Sequence, residues 1–570
     1  MTPYATWNHP YEPDPRFGKR VAYLCMEFGI HQPLKIFSGG LGFLAGSHMR
    51  SAYELRQNLI GVGMLWKFGY YDQVRNDDRT MRPQFLKKYY PFLEETGILV
   101  PVYINQHQVL VKALYLRPEI FGTVPMYLLT TNIEENDHLG RSITDRLYDA
   151  NHETRVVQNV ILGMGGAKVI EALGGADVYH LNEGHALPLA FHLYGKYRDI
   201  NEVRRRMVFT THTPEKAGND EHDFHLLNRL GFFGDVHIDE VRQLTQQHGH
   251  ALSYTPACLT FSKRANGVSQ LHGEVSREMW KDVHESCEIL GITNSQNKKY
   301  WANPVLDRAF QDGDDQAMLA QKRLMKKALM DFVADQTGKL FDPDVLTIVW
   351  ARRFAAYKRA DLVMRDLTRF NTLLSKTDRP IQIIWAGKPY PSDEGAISTF
   401  NHIQKYTYKR KNCAVLTGYE MGLSKLLKEG ADVWLNTPRR PREASGTSGM
   451  TAAMNGAINF SIDDGWIPEF ARHGENCFLI PAADTELQLT QVDDLDHGNL
   501  MRILENELIP AYYSGNGRWL EIVKNSMRDV CPQFDSDRMA TEYYELLYEF
   551  DMDKQARGPK VAKKGKAVTA

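Results

Sequence analysis

The 570-residue chain has few cysteines and no long apolar run. Its six cysteines are scattered, with no Cys-x-x-Cys pair and no Cys/His ligand spacing, so we expect buried free thiols in a reducing cytoplasm and no metal site. No apolar run approaches the roughly 20 residues that span a bilayer, and the N-terminal segment lacks the apolar stretch of a secretory signal. These absences predict a cytoplasmic protein with no membrane partner.

Excess charge of either sign is also missing. The chain has 68 Lys and Arg against 70 Asp and Glu, a formal net charge of −2. This balance gives no reason to expect a nucleic-acid partner. Hydrophobic residues make up 43% of the chain, which is enough for sizeable cores. At roughly 150 residues per domain, the length predicts three or four domains, or two large α/β units with insertions.

Apolar segments in the first half alternate with helical ones, which predicts a mostly parallel, doubly wound sheet. The first strand is the run RVAYLCMEFG at residues 20–29, and a glycine-rich turn at 38–49 leads from it into a helix. That arrangement directs backbone N–H groups at an anion, although tight packing of a helix on a strand would explain the glycines equally well. Further strands are predicted at 108–116, 124–131, 177–182, 207–212 and 258–269.

The second half predicts a Rossmann-like sheet of about six strands. The predicted strands are 347–353, 381–387, 413–418, 432–438, 457–462 and 477–481, and the predicted helices lie near 360–375, 393–408, 421–430 and 446–455. No G-x-G-x-x-G opening follows the first of these strands, so a dinucleotide cofactor is not expected. The predicted fold class is therefore α/β, with two Rossmann-like doubly wound domains facing a central cleft.

The pattern also predicts where the chain divides. Between about residues 300 and 336 it becomes helical and charged, and FDPD then restarts a strand. The predicted parts are an N-terminal Rossmann-like domain at 1–305, a helical connection at 306–340, a C-terminal Rossmann-like domain at 341–530, a C-terminal helix at 531–553 and a disordered basic tail at 554–570.

Polar and charged residues concentrate directly after the predicted strands, where ligands bind in open α/β sheets. In the first half these are Gly39 and Gly40, the NEGH segment with His185, and the THT segment with His212; in the second half they are Arg352, Arg353, Lys358, Lys388, Asn436 and PREASGTSGM. Arg353 has the planar fork that suits phosphate, and Lys358 and Lys388 supply point charges. A solvated helix face is the alternative explanation for the basic run, and structural hydrogen bonding is the alternative for the histidines.

The run from Glu443 to Thr451 is the most informative motif. Its small and hydroxyl residues at a helix start would let phosphate oxygens reach several N–H donors, and Glu443 could hold sugar hydroxyls. An ordinary capped helix packed closely on its sheet would explain the glycines, but not a glutamate beside so many hydroxyls.

These motifs resemble the α-glucan (glycogen, starch and maltodextrin) phosphorylases in their short form, from about Arg20 to about Arg528. The matching segments are SGGLGFLAGS, NEGHALPLAF, FTTHTPEKAG, ITN at 292–294, ARRFAAYKR and EASGTSGM. The resemblance implies a two-lobed GT-B-type glycosyltransferase fold. It also implies reversible phosphorolysis of α-1,4-glucan ends to α-glucose 1-phosphate, with retention of anomeric configuration.

The resemblance further implies roles for single residues. His212 would contact the glucose at the reacting centre, and Arg353 and Lys358 would bind the substrate phosphate. The implied catalytic residues are His212, Arg353, Lys358 and Glu443, and the implied substrate-binding residues are Gly39, Gly40, Leu41, His185, Asn294, Arg352, Lys388, Ser445, Gly446 and Thr447.

The chain departs from this family at the cofactor position. The family holds pyridoxal phosphate on a lysine directly after the methionine of EASGT…M, and this position is Thr451 here. A threonine cannot form the Schiff base, so covalent pyridoxal phosphate is not expected. Non-covalent pyridoxal phosphate or inorganic phosphate is the alternative.

Three functions are compatible with this departure. We favour a phosphorylase without the Schiff base, because the phosphate-side residues are present. The alternatives are a nucleotide-sugar-dependent α-glucan glycosyltransferase and a non-catalytic glucan-binding protein. The expected partners are an α-glucan or maltooligosaccharide and phosphate or glucose 1-phosphate, and the sequence is also compatible with a homo-oligomer.

Overall fold

Two large sheets organise the chain into two lobes in the computed structural model, which describes residues 6–552. The strands up to the helical connection are β1 (Val21–Leu24), β2 (Leu59–Met64), β3 (Asp72–Arg75), β4 (Met81–Gln84), β5 (Glu94–Ile104), β6 (His107–Leu116), β7 (Met126–Thr130), β8 (Val178–Asn182), β9 (Met207–Thr210), β10 (Glu221–Asp223), β11 (Ala251–Ser253), β12 (Arg264–Gly267) and β13 (Glu288–Gly291).

The helices of the same stretch include long ones that follow buried strands and short ones in the loops. They are α1 (Gly40–Glu54), α2 (Pro118–Phe121), α3 (His138–Ser142), α4 (His152–Val160), α5 (Gly166–Ala172), α6 (Pro188–Tyr197), α7 (Ile200–Arg204), α8 (Phe224–Arg229), α9 (Ile238–Thr245), α10 (Tyr254–Phe261), α11 (Gln270–Met279), α12 (Lys298–Trp301), α13 (Pro304–Gln311) and α14 (Asp315–Thr337). A π-helical turn, Ile161–Gly165, joins α4 to α5 without a break.

Nine strands of the first lobe form one sheet, in the order β13-β12-β9-β8-β1-β2-β7-β6-β5. The pairs from β13 to β7 are parallel, whereas β6 pairs antiparallel with both β7 and β5. Every residue of β1, β2, β7, β8 and β9 is buried, as expected for strands covered on both faces. The predicted mostly parallel sheet is therefore confirmed, with an antiparallel extension at one edge.

The second lobe carries most of the remaining elements. Its strands are β14 (Leu346–Ala351), β15 (Ile381–Ala386), β16 (Cys413–Leu416), β17 (Val433–Asn436), β18 (Ile458–Ile462) and β19 (Cys477–Ile480), and the helices from here to the end are α15 (Leu367–Leu374), α16 (Glu394–Thr407), α17 (Met421–Gly430), α18 (Ser448–Met454), α19 (Leu489–Ile503), α20 (Ile509–Tyr513), α21 (Arg518–Phe534) and α22 (Ser536–Glu542). The sheet order is β16-β15-β14-β17-β18-β19 and all pairs are parallel. This is the 3-2-1-4-5-6 order of a Rossmann fold, which confirms the predicted architecture.

Buried tryptophans join this sheet to the loops at its carboxyl end. The indole N–H of Trp350 donates to Thr437 Oγ1 at 3.2 Å, and that of Trp434 donates to Ser448 Oγ at 3.2 Å. A buried indole N–H needs an acceptor, so each bond fixes the loop that supplies it. Ser448 is the first residue of α18, so the sheet holds the start of that helix directly.

Two sequence predictions need correction. The predicted strand at 258–269 was wrong in its first part, because residues up to Phe261 belong to α10 and only Arg264–Gly267 form a strand. A helix that is buried all round has no polar side, so its short apolar run looks like a buried strand. At the other end, residues 531–534 belong to α21; α22 and a π-helical turn, Tyr543–Tyr548, then follow, rather than one helix at 531–553.

The last helices pack against the first lobe. Ser536 Oγ lies 2.6 Å from Ser51 Oγ in α1, and Tyr548 OH lies 2.7 Å from His180 Nδ1 in β8. The last described helices therefore lie on the lobe that contains α1 and β8. The predicted domain limits stay predictions, and the predicted basic tail at 554–570 lies outside the described residues. Within residues 6–552 no helix is long and apolar enough to cross a membrane.

The hairpin β3–β4 of the first lobe reaches across to the second lobe. Gln73 donates from Nε2 to Gly387 O at 3.0 Å and accepts from the Gly418 N–H at 3.0 Å. Tyr71, just before the hairpin, donates to Pro389 O at 2.7 Å. These buried bonds fix the two lobes against each other beside the carboxyl ends of β15 and β16.

Candidate active site

The glycine loop of the first lobe is held by a buried carboxylate, Glu27. Glu27 accepts from the Ser38 N–H at 2.6 Å, the Gly39 N–H at 3.1 Å and the Tyr148 hydroxyl at 2.9 Å. A Cβ at Gly42 would lie 2.7 Å from Glu27 Oε2, whereas a Cβ at Gly39 or at Gly40 would meet no atom within 4 Å. Glu27 therefore fixes a loop whose backbone at Gly39 and Gly40 faces open space.

The other predicted first-lobe residues lie in the same region. Leu41 is partly buried in the first turn of α1, and the His185 ring lies 5.8 Å from the ring of Tyr148. Tyr148 thus connects the predicted residue His185 to the glycine loop through Glu27.

His212 follows β9 and is held from two directions. Its Nε2 lies 2.7 Å from Asn182 Oδ1, and its backbone N–H donates to Glu183 Oε1. Asn182 donates from Nδ2 to Cys25 Sγ at 3.2 Å, so its oxygen faces the imidazole and His212 is the donor at Nε2. Burial, followed by the nearby His272 and His185, lowers the pKa of His212 to about 3. The imidazole is therefore neutral at physiological pH, with Nδ1 left as an acceptor.

Glu183 has an unusual backbone and an unusual carboxyl group. Its φ of 69° and ψ of 168° belong to a backbone region that residues other than glycine rarely adopt. Backbone strain of this kind concentrates at functional sites. Burial raises the pKa of Glu183 to about 7, although the N–H groups of His212 and Gly184 oppose the rise. Thr213 also donates to this carboxyl group, at 3.3 Å. Glu183 therefore positions the segment that carries His212.

Glu443 is the centre of a buried charge cluster in the second lobe. Lys358 Nζ donates to Glu443 Oε1 at 3.0 Å and to Oε2 at 2.9 Å, and Arg352 Nη1 donates to Oε2 at 3.0 Å. Burial alone would raise the pKa of Glu443, but Lys358 and Arg352 lower it to about 2. The cluster holds two cations and one anion, so it carries an uncompensated positive charge.

Asp464 supports the same loop from β18. Its Oδ2 accepts from the Glu443 N–H at 2.9 Å. Burial, together with the charge of Glu443, raises the pKa of Asp464 to about 7. The buried carboxyl of Asp464 thus fixes the backbone of Glu443, the carboxylate at the centre of the cluster.

Arg353 differs from its neighbour Arg352 because its side chain is exposed. Desolvation opposes the charged guanidinium, but the nearby Tyr357 and Tyr70 favour it more strongly, so the pKa of Arg353 is raised. Tyr70 lies in the first lobe, close enough to Arg353 and to Glu27 for both charges to affect its pKa. Arg353 therefore faces the first lobe across the cleft.

Several predicted site residues have buried polar atoms with no hydrogen-bond partner among residues 6–552. These atoms are His185 Nδ1, Asn294 Oδ1, Arg352 Nε, Asn436 Oδ1 and Ser445 Oγ. Buried polar atoms are nearly always paired in folded proteins, and unpaired ones call for an explanation. These atoms are acceptors and donors that a ligand rich in hydroxyl or phosphate oxygens could pair with.

The segment after Glu443 also contacts the first lobe. Ser269 Oγ donates to Ala444 O at 2.7 Å, and Arg442 pairs with Glu215 at 3.0 Å. Gly446 has a φ of 89°, a conformation that favours glycine, and Thr447 precedes the first turn of α18. The loop therefore lies between the lobes and leads directly into the first turn of α18.

Lys388 lies away from this cluster. Its Nζ donates to Tyr71 O at 2.7 Å and to Glu420 Oε1 at 2.8 Å, and Glu420 also accepts from Gln32 Nε2 at 2.8 Å. The structure therefore uses the buried Lys388 to join the two lobes, beside hairpin β3–β4.

Thr451 is fully buried in α18. Its hydroxyl donates to Ser448 O at 3.1 Å, and its carbonyl oxygen accepts from Asn455 Nδ2 at 2.8 Å. Position 451 thus carries a hydroxyl whose hydrogen bond is made within α18, and it carries no amine. Within residues 6–552 no group of three or more His, Cys, Asp or Glu side chains is arranged to hold a metal ion.

Sequence reasoning missed two carboxyl groups of the site, Glu27 and Asp464, and it named Glu183 only as part of the NEGH segment, without a role. Each of the three follows a buried parallel strand, at the edge where ligands bind. The rule that found the basic residues would have found Glu27 and Asp464 as well, had it been applied to acidic residues after β1 and β18.

Comparison with known proteins identifies relatives over most of the chain. The sequence profile of the carbohydrate phosphorylase family matches residues 302–492. An uncharacterized protein of Methanocaldococcus jannaschii is 46% identical, over 93% of this chain and 100% of its own length. Maltodextrin phosphorylase of Thermococcus litoralis is 33% identical, over 96% of this chain and 72% of its own. Glycogen phosphorylase of Aquifex aeolicus is 30% identical, over 93% and 86%.

Identity at this level extends over nearly the whole chain and over most of each relative. The matched stretch includes both lobes. The protein therefore belongs to the α-glucan phosphorylase family, and it is a glycosyltransferase of the glucan phosphorylase type.

Proposed function

We propose that the protein catalyses the reversible phosphorolysis of α-1,4-glucan ends to α-glucose 1-phosphate, with retention of anomeric configuration. The observation that carries this proposal is the grouping of Arg352, Arg353 and Lys358 around a single carboxylate, Glu443. Three cations against one anion suit a dianionic phosphate.

Arg353 is the residue best placed to receive the substrate phosphate. It is exposed, while Arg352 and Lys358 are paired with Glu443. Its guanidinium can bind two phosphate oxygens at once and so fix the orientation of the phosphate against the anomeric carbon. The positive charge of the cluster would stabilise that phosphate as the glycosidic bond breaks.

The first lobe supplies groups suited to the glucosyl unit. The open backbone at Gly39 and Gly40 allows a sugar to approach closely, and the neutral His212 can accept a hydrogen bond from a sugar hydroxyl at Nδ1. The unpaired oxygen of Asn294 is a further acceptor for a hydroxyl. Neutral donors and acceptors of this kind fit a sugar better than they fit a second charged group.

The residues present fit the pyridoxal phosphate of this family only in part. Arg352 and Lys358 are cations suited to its phosphate group, which in the family assists proton transfer. Thr451 has no amine, and its hydroxyl already donates to Ser448 O. Covalent attachment at position 451 is therefore excluded by its chemistry.

The test is an assay of phosphate release from glucose 1-phosphate in the presence of a maltooligosaccharide, with nucleotide sugars supplied in parallel reactions. We expect release from glucose 1-phosphate and no transfer from the nucleotide sugars. Transfer from a nucleotide sugar alone would show a different donor, and binding of the glucan without turnover would show a binding protein.

Arg353→Ala should lower turnover with glucose 1-phosphate by about 100-fold or more, because one lost charge-stabilising group in an active site costs roughly 3 kcal/mol. Arg365→Ala is the matched control, since Arg365 is a partly exposed arginine of the same lobe that pairs with Asp494. Wild-type turnover in Arg353→Ala would show that the phosphate binds elsewhere.

A further inference from the structure

A cavity of about 280 Å³ lies on the amino-terminal side of the second-lobe sheet. Its lining includes Asp344 and Asp432, which come just before β14 and β17, and parts of α14 and α21. The Glu443 cluster lies at the opposite, carboxyl ends of the same strands. Gly456, just after α18, also lines the cavity, whereas the loop that follows Glu443 leads into the start of this helix. The cavity is therefore separate from the candidate active site, at the other end of α18.

Most of the cavity wall is apolar. Leu306, Met318 and Val523 are buried in it, and the rings of Tyr512 and Trp519 form one corner, with their centroids 5.1 Å apart. Both rings are partly exposed. Sites for small molecules are concave and mostly apolar, with volumes from roughly 300 Å³ upward, and this cavity is close to that lower limit. The wall therefore suits a compact ring system.

Three cations also line the cavity, and two of them are paired with acids of the same lining. Lys326 Nζ donates to Asp432 Oδ2 at 2.6 Å. Arg323 donates from Nε and Nη2 to the two carboxylate oxygens of Asp344, each at 2.9 Å. The third cation is Lys322. The lining therefore carries three positive charges against two negative ones.

Lys322 is held by backbone carbonyls rather than by an acid. Its Nζ donates to Glu429 O at 2.8 Å and to Asn455 O at 2.9 Å, and no carboxylate among residues 6–552 forms an ion pair with it. Burial lowers the pKa of Lys322 to about 7, although the charges of Asp432 and Glu429 oppose this shift. An ammonium has three N–H donors, so one remains for a ligand. A bound anion would balance this charge.

We propose that this cavity binds a small organic anion in which an apolar ring system carries a carboxylate. The ring lies against Tyr512 and Trp519, and the carboxylate accepts a hydrogen bond from Lys322. The ring accounts for the apolar wall, and the carboxylate accounts for the one cation that has no acid. A glucan fits this cavity poorly, because its hydroxyls would meet an apolar wall. The site therefore goes beyond the proposed function.

Isothermal titration calorimetry of the purified full-length protein with naphthalene-1-carboxylate tests the proposal. We expect one equivalent to bind. The neutral naphthalene-1-carboxamide has the same rings, and we expect it to bind about tenfold more weakly or worse, because it lacks the charge that Lys322 would pair with. No binding of the carboxylate, or equal affinity for the two compounds, would overturn the proposal.

The cations of the candidate active site also attract anions, so the titration is repeated under two further conditions. One is the presence of inorganic phosphate and a maltooligosaccharide, and the other is the Arg353→Ala variant. We expect the affinity for naphthalene-1-carboxylate to stay the same in both, because the cavity lies at the other end of α18. Displacement by phosphate or by the glucan would place the compound in the cleft and refute the proposal.

Two exposed leucines of α14 provide a matched pair of variants. Leu319 lines the cavity and is 55% exposed, whereas Leu324 is 62% exposed and lies outside the lining. Leu319→Glu places a negative charge beside the cavity and should weaken binding of the carboxylate by about threefold or more. Leu324→Glu should bind it as the wild type does. Both positions are exposed, so both variants should fold. Wild-type affinity in Leu319→Glu would contradict the proposal.

A lysine pair tests the contact with the carboxylate itself. Lys322→Met should lower the affinity for naphthalene-1-carboxylate to that for the carboxamide. Lys524→Met is the control, because Lys524 lies outside the lining and pairs with Asp315 at 2.9 Å. It should keep the wild-type preference for the carboxylate. The same preference in a folded Lys322→Met variant would overturn the assignment, and the result with Leu319→Glu decides if Lys322→Met does not fold.

Discussion

Lys358 donates to both carboxylate oxygens of Glu443, at 3.0 and 2.9 Å, inside a buried cluster. The two residues implied to hold phosphate and sugar are therefore bound to each other. An incoming phosphate must compete with Glu443 for Lys358 and Arg352. Glu443 thereby holds Lys358 and Arg352 in place. When phosphate binds, these two cations must exchange bonds to Glu443 for bonds to the phosphate.

Glu443→Gln removes the counter-charge from two buried cations. We expect the free energy of unfolding to fall by about 3–5 kcal/mol, the usual cost of removing one partner from a buried pair. Added inorganic phosphate should then raise the melting temperature of the variant more than that of the wild type, because it supplies the missing negative charge. Thermal unfolding with and without phosphate measures both effects. Equal stabilisation of the two proteins would show that phosphate does not reach this cluster.

Glu183 should make stability depend on pH. Its pKa is about 7 in the folded protein against 4.5 for an ordinary glutamate, so the folded state favours the protonated carboxyl. The contribution of Glu183 to stability is fully present below about pH 4.5 and is lost as the pH rises to about 7. Glu183→Gln does not titrate, so the wild type should lose up to about 3 kcal/mol relative to the variant over this range. Denaturant unfolding at several pH values measures the difference, and parallel curves would contradict the prediction.

The glycine loop allows folding and binding to be tested separately. Gly40→Ala places a methyl group in open space, so the melting temperature should change little, while the KM for glucose 1-phosphate rises because the methyl projects towards the cleft. Gly42→Ala brings a Cβ within 2.7 Å of Glu27 Oε2 and 2.8 Å of Phe37 Cβ, so it should destabilise the protein by about 1–3 kcal/mol. Thermal unfolding and initial rates check both. A wild-type KM in Gly40→Ala would place the sugar elsewhere.

The fold of the second lobe was predictable because its strands are buried on both faces. Runs such as TIVWA and IQIIWA have no other plausible position than a covered parallel sheet. The first lobe was harder. Strand β5 alternates buried and exposed residues at the sheet edge, but the exposed Leu99 and Tyr103 obscure this alternation in the sequence. Helix α10 is apolar on all sides and so lacks a helical period.

The site was predictable where the residue type itself indicated chemistry. The structure brings Arg352, Lys358 and Glu443 together as expected for residues that follow neighbouring strands. The use of Lys388 was not predictable, because a long flexible side chain can reach either the cleft or the other lobe.

The return of the last helices to the first lobe has a consequence for synthesis on the ribosome. Most N-terminal domains complete their folding while the rest of the chain is still being made. Here α1 and β8 obtain their contacts with Ser536 and Tyr548 only after more than 500 residues have been translated. The first lobe is therefore synthesised first but completes its contacts among the last. Until almost the entire chain has emerged, the surface of α1 and β8 that these helices cover stays exposed.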